Sequence, residues 1–120
     1  EISCVFDVDA HPHVQQAIAE ARQSGINLAV SNPCFELWLV LHCQDQAASI
    51  HRSEIQRDAK KLNLIHGKSI PASAWKTLRD NYEDARRRAR ELDSMHEGND
   101  SPPRSNPSSD VWRLVDRLRS

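Results

Sequence analysis

The run Cys4-Val5-Phe6-Asp7-Val8-Asp9 decides how this chain reads. An apolar strand runs into two carboxylates spaced i, i+2. Alternate residues of a strand share a face, so Asp7 and Asp9 would leave the strand's C-terminal end side by side. In an open parallel sheet that edge is where ligands bind. Two acids there repel each other unless a positive group sits between them. A hard divalent cation, Mg²⁺ or Mn²⁺, suits the position: it takes oxygen ligands and keeps waters that a phosphate can displace. An isolated Asp-x-Asp is as often a solvated turn. Here Ala10-His11-Pro12-His13 adds two imidazoles beside the acids, which favours a site.

Working outward, residues 2–6 are nearly all apolar and predict a strand buried on both faces. Pro12 suits a helix's first turn. Val14, Ala17, Ile18 and Ala21 recur at helical spacing and predict a helix over 13–24, with Gly25 at a left-handed cap. Ile26 to Val30 is a second strand, completing a βαβ unit. A polar loop, Ser31-Asn32, leaves its end, so both residues are candidates for hydrogen bonding to a substrate. Pro33 can open a helix over 34–42. Leu37 to Leu41 make that helix central, and Glu36 is its exception. A carboxylate there is costly unless paired or functional. It either complements the helix dipole or faces the Asp pair, as a third metal ligand or as the group that orients a metal-bound water. His11 would contact phosphate or move a proton, since its ordinary pKa lies near neutrality.

The C-terminal half reads as helices. Residues 44–52 form a polar connector, and Ser53 can cap a helix over 54–62 with Ile55, Ala59 and Leu62 inward. Pro71 opens a long helix through about Met95, its inner stripe being Ala74, Leu78, Tyr82, Ala85, Ala89 and Leu92. On its outer face Arg86, Arg87, Arg88 and Arg90 interleave with Glu83, Asp84, Glu91 and Asp93. That pattern fits a solvated face with i, i+4 pairs; the alternative is a nucleic-acid contact made by Arg86 and Arg87. Residues 97–109 form a long polar loop of the kind that is mobile or functional. A last helix, over 110–118, carries Val111, Leu114, Val115 and Leu118 on one side, with Asp110 or a preceding Ser at its N-terminus. There is no Gly-rich phosphate loop.

With 120 residues the chain has the size of a single domain over 1–120. The net charge of −1 gives no global field for nucleic acid, so any polyanion contact must be local or metal-borne. The three cysteines, Cys4, Cys34 and Cys43, form no Cys-x-x-Cys and fit a reducing cytoplasm; Cys4 and Cys34 read as packing residues. Zinc binding by His42, Cys43 and His51 with Cys34 lacks paired-ligand spacing. His66 and His96 read as solvent-facing. No apolar run reaches membrane-spanning length. The sequence opens inside a strand without an initiator Met and offers two convincing strands, which predicts part of a longer polypeptide or a processed or trimmed chain, with the rest of the sheet supplied by N-terminal strands or by another chain.

Val5-Phe6-Asp7-Val8-Asp9, together with the run from Ala29 through Ser31-Asn32-Pro33-Cys34-Phe35-Glu36-Leu37-Trp38 to His42, resembles the RloB-like proteins. Asn106-Pro107-Ser108-Ser109-Asp110-Val111 is similar to that family's C-terminal segment. The resemblance implies an α/β, TOPRIM/Rossmann-like fold with a mainly parallel sheet covered by helices, and a bacterial role in phage defence. It also implies that Asp7 and Asp9 are the Asp-x-Asp that holds Mg²⁺. The early Glu of such domains has no counterpart here, since Glu1 lacks the matching context. Phe6-Asp7-Val8-Asp9 and Val30-Ser31 also look like the haloacid-dehalogenase-like phosphatases, but that family expects Gly-Thr after the second Asp and this chain has Ala10-His11.

The expectation is therefore a metal-dependent nuclease acting on DNA or RNA, tRNA included, as a cytoplasmic protein, with other defence proteins or a second copy of itself as partners. The rival of another class is a non-catalytic sensor or scaffold of the same fold that recognises nucleic acid or a partner protein.

Overall fold

The first strand and helix form where the apolar spacing puts them. The computed structural model describes residues 3–9 and 13–119, so His11, Pro12 and Glu1 lie outside the described residues. β1 is Ser3–Asp7, α1 Val14–Gln23 and β2 Asn27–Asn32. β1 and β2 pair in parallel from Ser3 opposite Asn27 to Asp7 opposite Ser31. α1 ends as its glycine requires. Gly25 takes φ +71°, and the Ile26 N–H closes the helix on the Ala21 carbonyl at 2.9 Å.

The expected burial of β1 on both faces does not hold. Val5 is 47% exposed, Ser3 is exposed and Cys4 is only half-buried. β1 is the outer strand of the described sheet, whose order is β1-β2-β3, so one side of it has no neighbouring strand among the described residues.

The third strand has no period to betray it. β3 is the pair Ser108–Ser109, antiparallel to β2, with Ser31 opposite Ser109 and Asn32 opposite Ser108. The sheet is thus mixed, one pairing parallel and one antiparallel. Ser31 and Asn32, expected in a loop, end β2 instead. The tripeptide Ser-Asn-Pro occurs twice, at 31–33 and 105–107, and both Asn–Pro bonds are cis. The two copies meet where β3 joins β2.

The described residues form six helices. α2, Glu36–Val40, is short and central: Leu37, Trp38, Leu39 and Val40 are all buried, and it touches α3, α5, β2 and β3. α3, Arg52–Lys61, begins one residue before the expected Ser53 cap. His51 caps it, its Nδ1 accepting the Ser53 N–H at 3.1 Å. The long helix expected from Pro71 to Met95 is two, α4 at Ala72–Asp80 and α5 at Tyr82–Gly98, broken at Asn81. α6, Val111–Arg119, packs on β2 and α5. The apolar residues of α2 to α5 and Val111 form the core.

The loop between α5 and α6 is pinned rather than loose. Asn106 donates to the Ile50 carbonyl at 2.7 Å and accepts the Ile50 N–H at 3.1 Å. His96 is buried, not solvent-facing, and its Nε2 donates to the Pro107 carbonyl at 2.8 Å. No helix of the described residues is long and apolar enough to cross a membrane.

Candidate functional site

The turn after β1 stays attached to the end of β2. The Val8 N–H bonds to the Ser31 carbonyl at 3.0 Å, and the Asp9 N–H to the Pro33 carbonyl at 3.2 Å. This brings both acids beside the segment that leads into α2. Asp7, half-buried, accepts the Phe35 N–H on Oδ1 at 2.9 Å. Asp9 is exposed.

Burial pushes the Asp7 carboxyl above the ordinary carboxylate range. The Phe35 N–H opposes this, and the negative charges of Glu36 and Asp9 add to it, while Arg52 pulls the other way. Asp9 and Glu36 thus each lie within electrostatic reach of Asp7, and so does the Arg52 guanidinium of α3. The Glu36 carboxylate is held by α3 as well, accepting from Gln56 Nε2 at 3.2 Å. Sequence spacing did not reveal Arg52 or Gln56. The only hint was that Ile55 and Ala59 turn α3 toward the core beneath Glu36.

Cys34 is buried, and its thiol is pushed up to about 12, first by burial and then by the Glu36 charge. It stays protonated at neutral pH and packs. Cys43 is raised by burial too. His42 is buried and burial lowers its pKa, so the neutral ring donates from Nδ1 to the Trp38 carbonyl at 2.9 Å.

Ser31 is fully buried, and its hydroxyl bonds the Ser109 hydroxyl at 2.9 Å, so it ties β2 to β3. Asn32 donates from Nδ2 to the Arg104 carbonyl at 2.8 Å. Arg104 has φ +64°, an unfavourable conformation for a residue with a Cβ, and its guanidinium is anchored on Asp110 at 3.0 Å. Asn32 therefore holds the 101–109 loop against the strand end.

Arg86 and Arg87 do not join the acids. They line a different cleft, with Arg90, Trp112 and Arg113, that includes none of Asp7, Asp9 or Glu36. Arg86 pairs with Asp116 at 2.8 Å, and Arg87 with Glu91 at 3.1 Å and Asp84 at 3.5 Å. Arg88 donates to the Leu41 carbonyl at 2.7 Å. His11 lies outside the described residues.

Among the described residues no three His, Cys, Asp or Glu side chains stand close enough to hold an ion. Mg²⁺ asks for less, because one or two carboxylates suffice when water and phosphate complete its six positions. The donor chemistry fits that need: Asp7 uses Oδ1 for Phe35, which leaves Oδ2, and the negative charges of Glu36 and Asp9 near it favour a positive partner, proton or metal ion.

Comparison with known proteins adds the family. A family model described as RloB-like protein matches residues 1–118. The chain belongs to the RloB-like family. No curated protein and no solved structure matches this RloB-like chain. The match spans both Ser-Asn-Pro copies and Asp7, Asp9 and Glu36.

Proposed function

We propose that this RloB-like chain carries the metal-binding acids of a nuclease that cleaves phosphodiesters in defence against phage. The observation that supports it is the place of Asp7 at the paired ends of β1 and β2, half-buried on the Phe35 N–H, with the charges of Glu36 and Asp9 in its surroundings. A TOPRIM-type arrangement, with Asp7 and Asp9 as its Asp-x-Asp, gives that place a purpose.

Asp7 and Asp9 would hold Mg²⁺ or Mn²⁺. When bound, the ion would offset charge on the scissile phosphate and lower the pKa of the attacking water. Glu36, steadied by Gln56, would orient that water. Arg52 is placed to meet a phosphate beside Asp7. His11 keeps the proton-moving role. Asn32 acts through the 101–109 loop. The substrate is DNA or RNA, with tRNA among the RNAs, met in the cytoplasm, and other defence proteins or a second copy are its partners.

A second reading, a sensor or scaffold that binds without turnover, is favoured by the lack of three grouped ligands among the described residues. Metal dependence separates the two. The complete protein should cleave labelled DNA, RNA or tRNA with Mg²⁺ or Mn²⁺ and not with EDTA. Asp7→Ala and Asp9→Ala should each cost about 10²-fold or more in rate. Undiminished cleavage by both variants would overturn the nuclease reading, and binding without metal or turnover would establish the sensor.

A further inference from the structure

A groove of about 580 Å³ opens between α2, α4, α5 and α6. Its floor is rigid: Trp38 is buried and meets Tyr82 edge-to-face, with ring centroids 6.1 Å apart. Its wall is Trp75, an indole left 55% exposed. Large exposed aromatics in a concave apolar surface mark binding sites. The groove ends at Phe35, whose N–H is bonded to Asp7, so it adjoins the acids at that residue.

Charge identifies the occupant. The charged residues lining the groove are Arg79 and Arg119; Asp116, which accepts from the Tyr82 hydroxyl and attracts Arg119, and Asp80, within charge reach of Arg79, do not line it. The clefts around Arg86 and around Arg104 are different, for in both the arginines alternate with Asp and Glu. Arg119 lies over the Tyr82 ring at 4.6 Å, and Arg79 stands on the rim beside Trp75 and Leu78. A flat apolar ring with an anion attached fits an aromatic groove rimmed by two guanidiniums. Every nucleotide has that form, and stacking on an aromatic side chain accepts any base. A base can enter only where it is unpaired, which excludes regular duplex.

We propose that the groove at Trp75 binds an unpaired base of single-stranded nucleic acid, with Arg79 and Arg119 meeting the neighbouring phosphates. It rests on the nuclease reading for its purpose, since it makes the substrate a single strand or a loop threaded past Phe35 toward Asp7. The base and phosphate contacts themselves need no metal.

The test is fluorescence anisotropy of a labelled ten-nucleotide oligoadenylate, and of its duplex with the complement, on the whole chain in EDTA. The single strand should bind and the duplex should bind much more weakly. Trp75→Ala should weaken single-strand binding about tenfold or more, Trp75→Phe should restore most of it, and Arg79→Ala should weaken it too. Trp75 is exposed, so its loss leaves the fold intact. Equal binding by Trp75→Ala and wild type, or equal binding of duplex and single strand, would overturn the inference. So would a dimer seen in sedimentation that Trp75→Ala dissolves, because the groove would then hold a second copy. Trp75-dependent binding without cleavage would leave the groove standing and sink the nuclease. Cleavage with Trp75-independent binding would do the reverse.

Discussion

At Asp7 burial and charge work against each other. Its carboxyl is raised above the ordinary value, so the folded chain holds that proton more tightly than the unfolded chain does. Native stability therefore gains from protonation as pH falls through the raised value, and at neutral pH the charged form is a cost. Asp7→Asn keeps an oxygen for the Phe35 N–H and removes the charge. Without metal, at pH 7, it should raise the melting temperature by roughly 2–5 °C. The gain should shrink in acid, as pH falls through the raised value and wild-type Asp7 takes up its proton. Thermal melts at neutral and acid pH check this, and a lowered melting temperature would mean that the carboxylate serves structural hydrogen bonds. Asn106 is the contrasting residue, since both its polar atoms serve Ile50. Asn106→Ala strands a part-buried N–H and C=O and should cost about 1–3 kcal/mol in a urea titration. No loss would show the loop to be held by other contacts.

Between elements, α5 and α6 are joined through Asp116, which accepts from the Tyr82 hydroxyl and from Arg86. The Tyr82 bond first, then Arg86, holds the Asp116 carboxyl below its usual range. That stabilisation is present above the unfolded value and is lost as pH falls through the depressed one. Asp116→Asn should thus lower stability at pH 7, by less than about 1 kcal/mol because the pair is partly solvated. The gap to wild type should close toward pH 3, and a gap independent of pH would point to packing instead. What the residues revealed at this scale follows from periodicity. β1, α1 and β2 were legible because a short apolar run gives way to apolar spacing near four and then to a second short run, with Gly25 as punctuation. The break at Asn81 was hidden because Ala74, Leu78, Tyr82, Ala85 and Ala89 stay in phase across it, both helices burying one continuous stripe. β3 was hidden because two serines carry no period. Ser31 and Ser109 lie 78 positions apart, and only their hydroxyl bond makes the pairing visible. The acids were legible from their spacing. Arg52 and Gln56 were not, because they reach Asp7 and Glu36 through tertiary packing.

Over the whole molecule, positive and negative charges nearly cancel, and the arginines of α5 are largely satisfied within the chain. Nucleic-acid binding should then depend only mildly on salt. Two guanidiniums at the Trp75 groove imply a slope of log Kobs against log salt of roughly −1.4 for a single strand. Anisotropy across a salt series checks this, and a slope beyond about −4 would bring the Arg86 and Arg87 face into contact. The claim on which the rest depends is that Asp7 and Asp9 grip a divalent cation. Manganese titration followed by electron paramagnetic resonance measures this on the chain itself, with no need of turnover. The account predicts saturable Mn²⁺ binding by the wild type that disappears in the Asp7→Asn, Asp9→Asn double variant. Equal binding by both proteins, or none by the wild type at millimolar Mn²⁺, would contradict it.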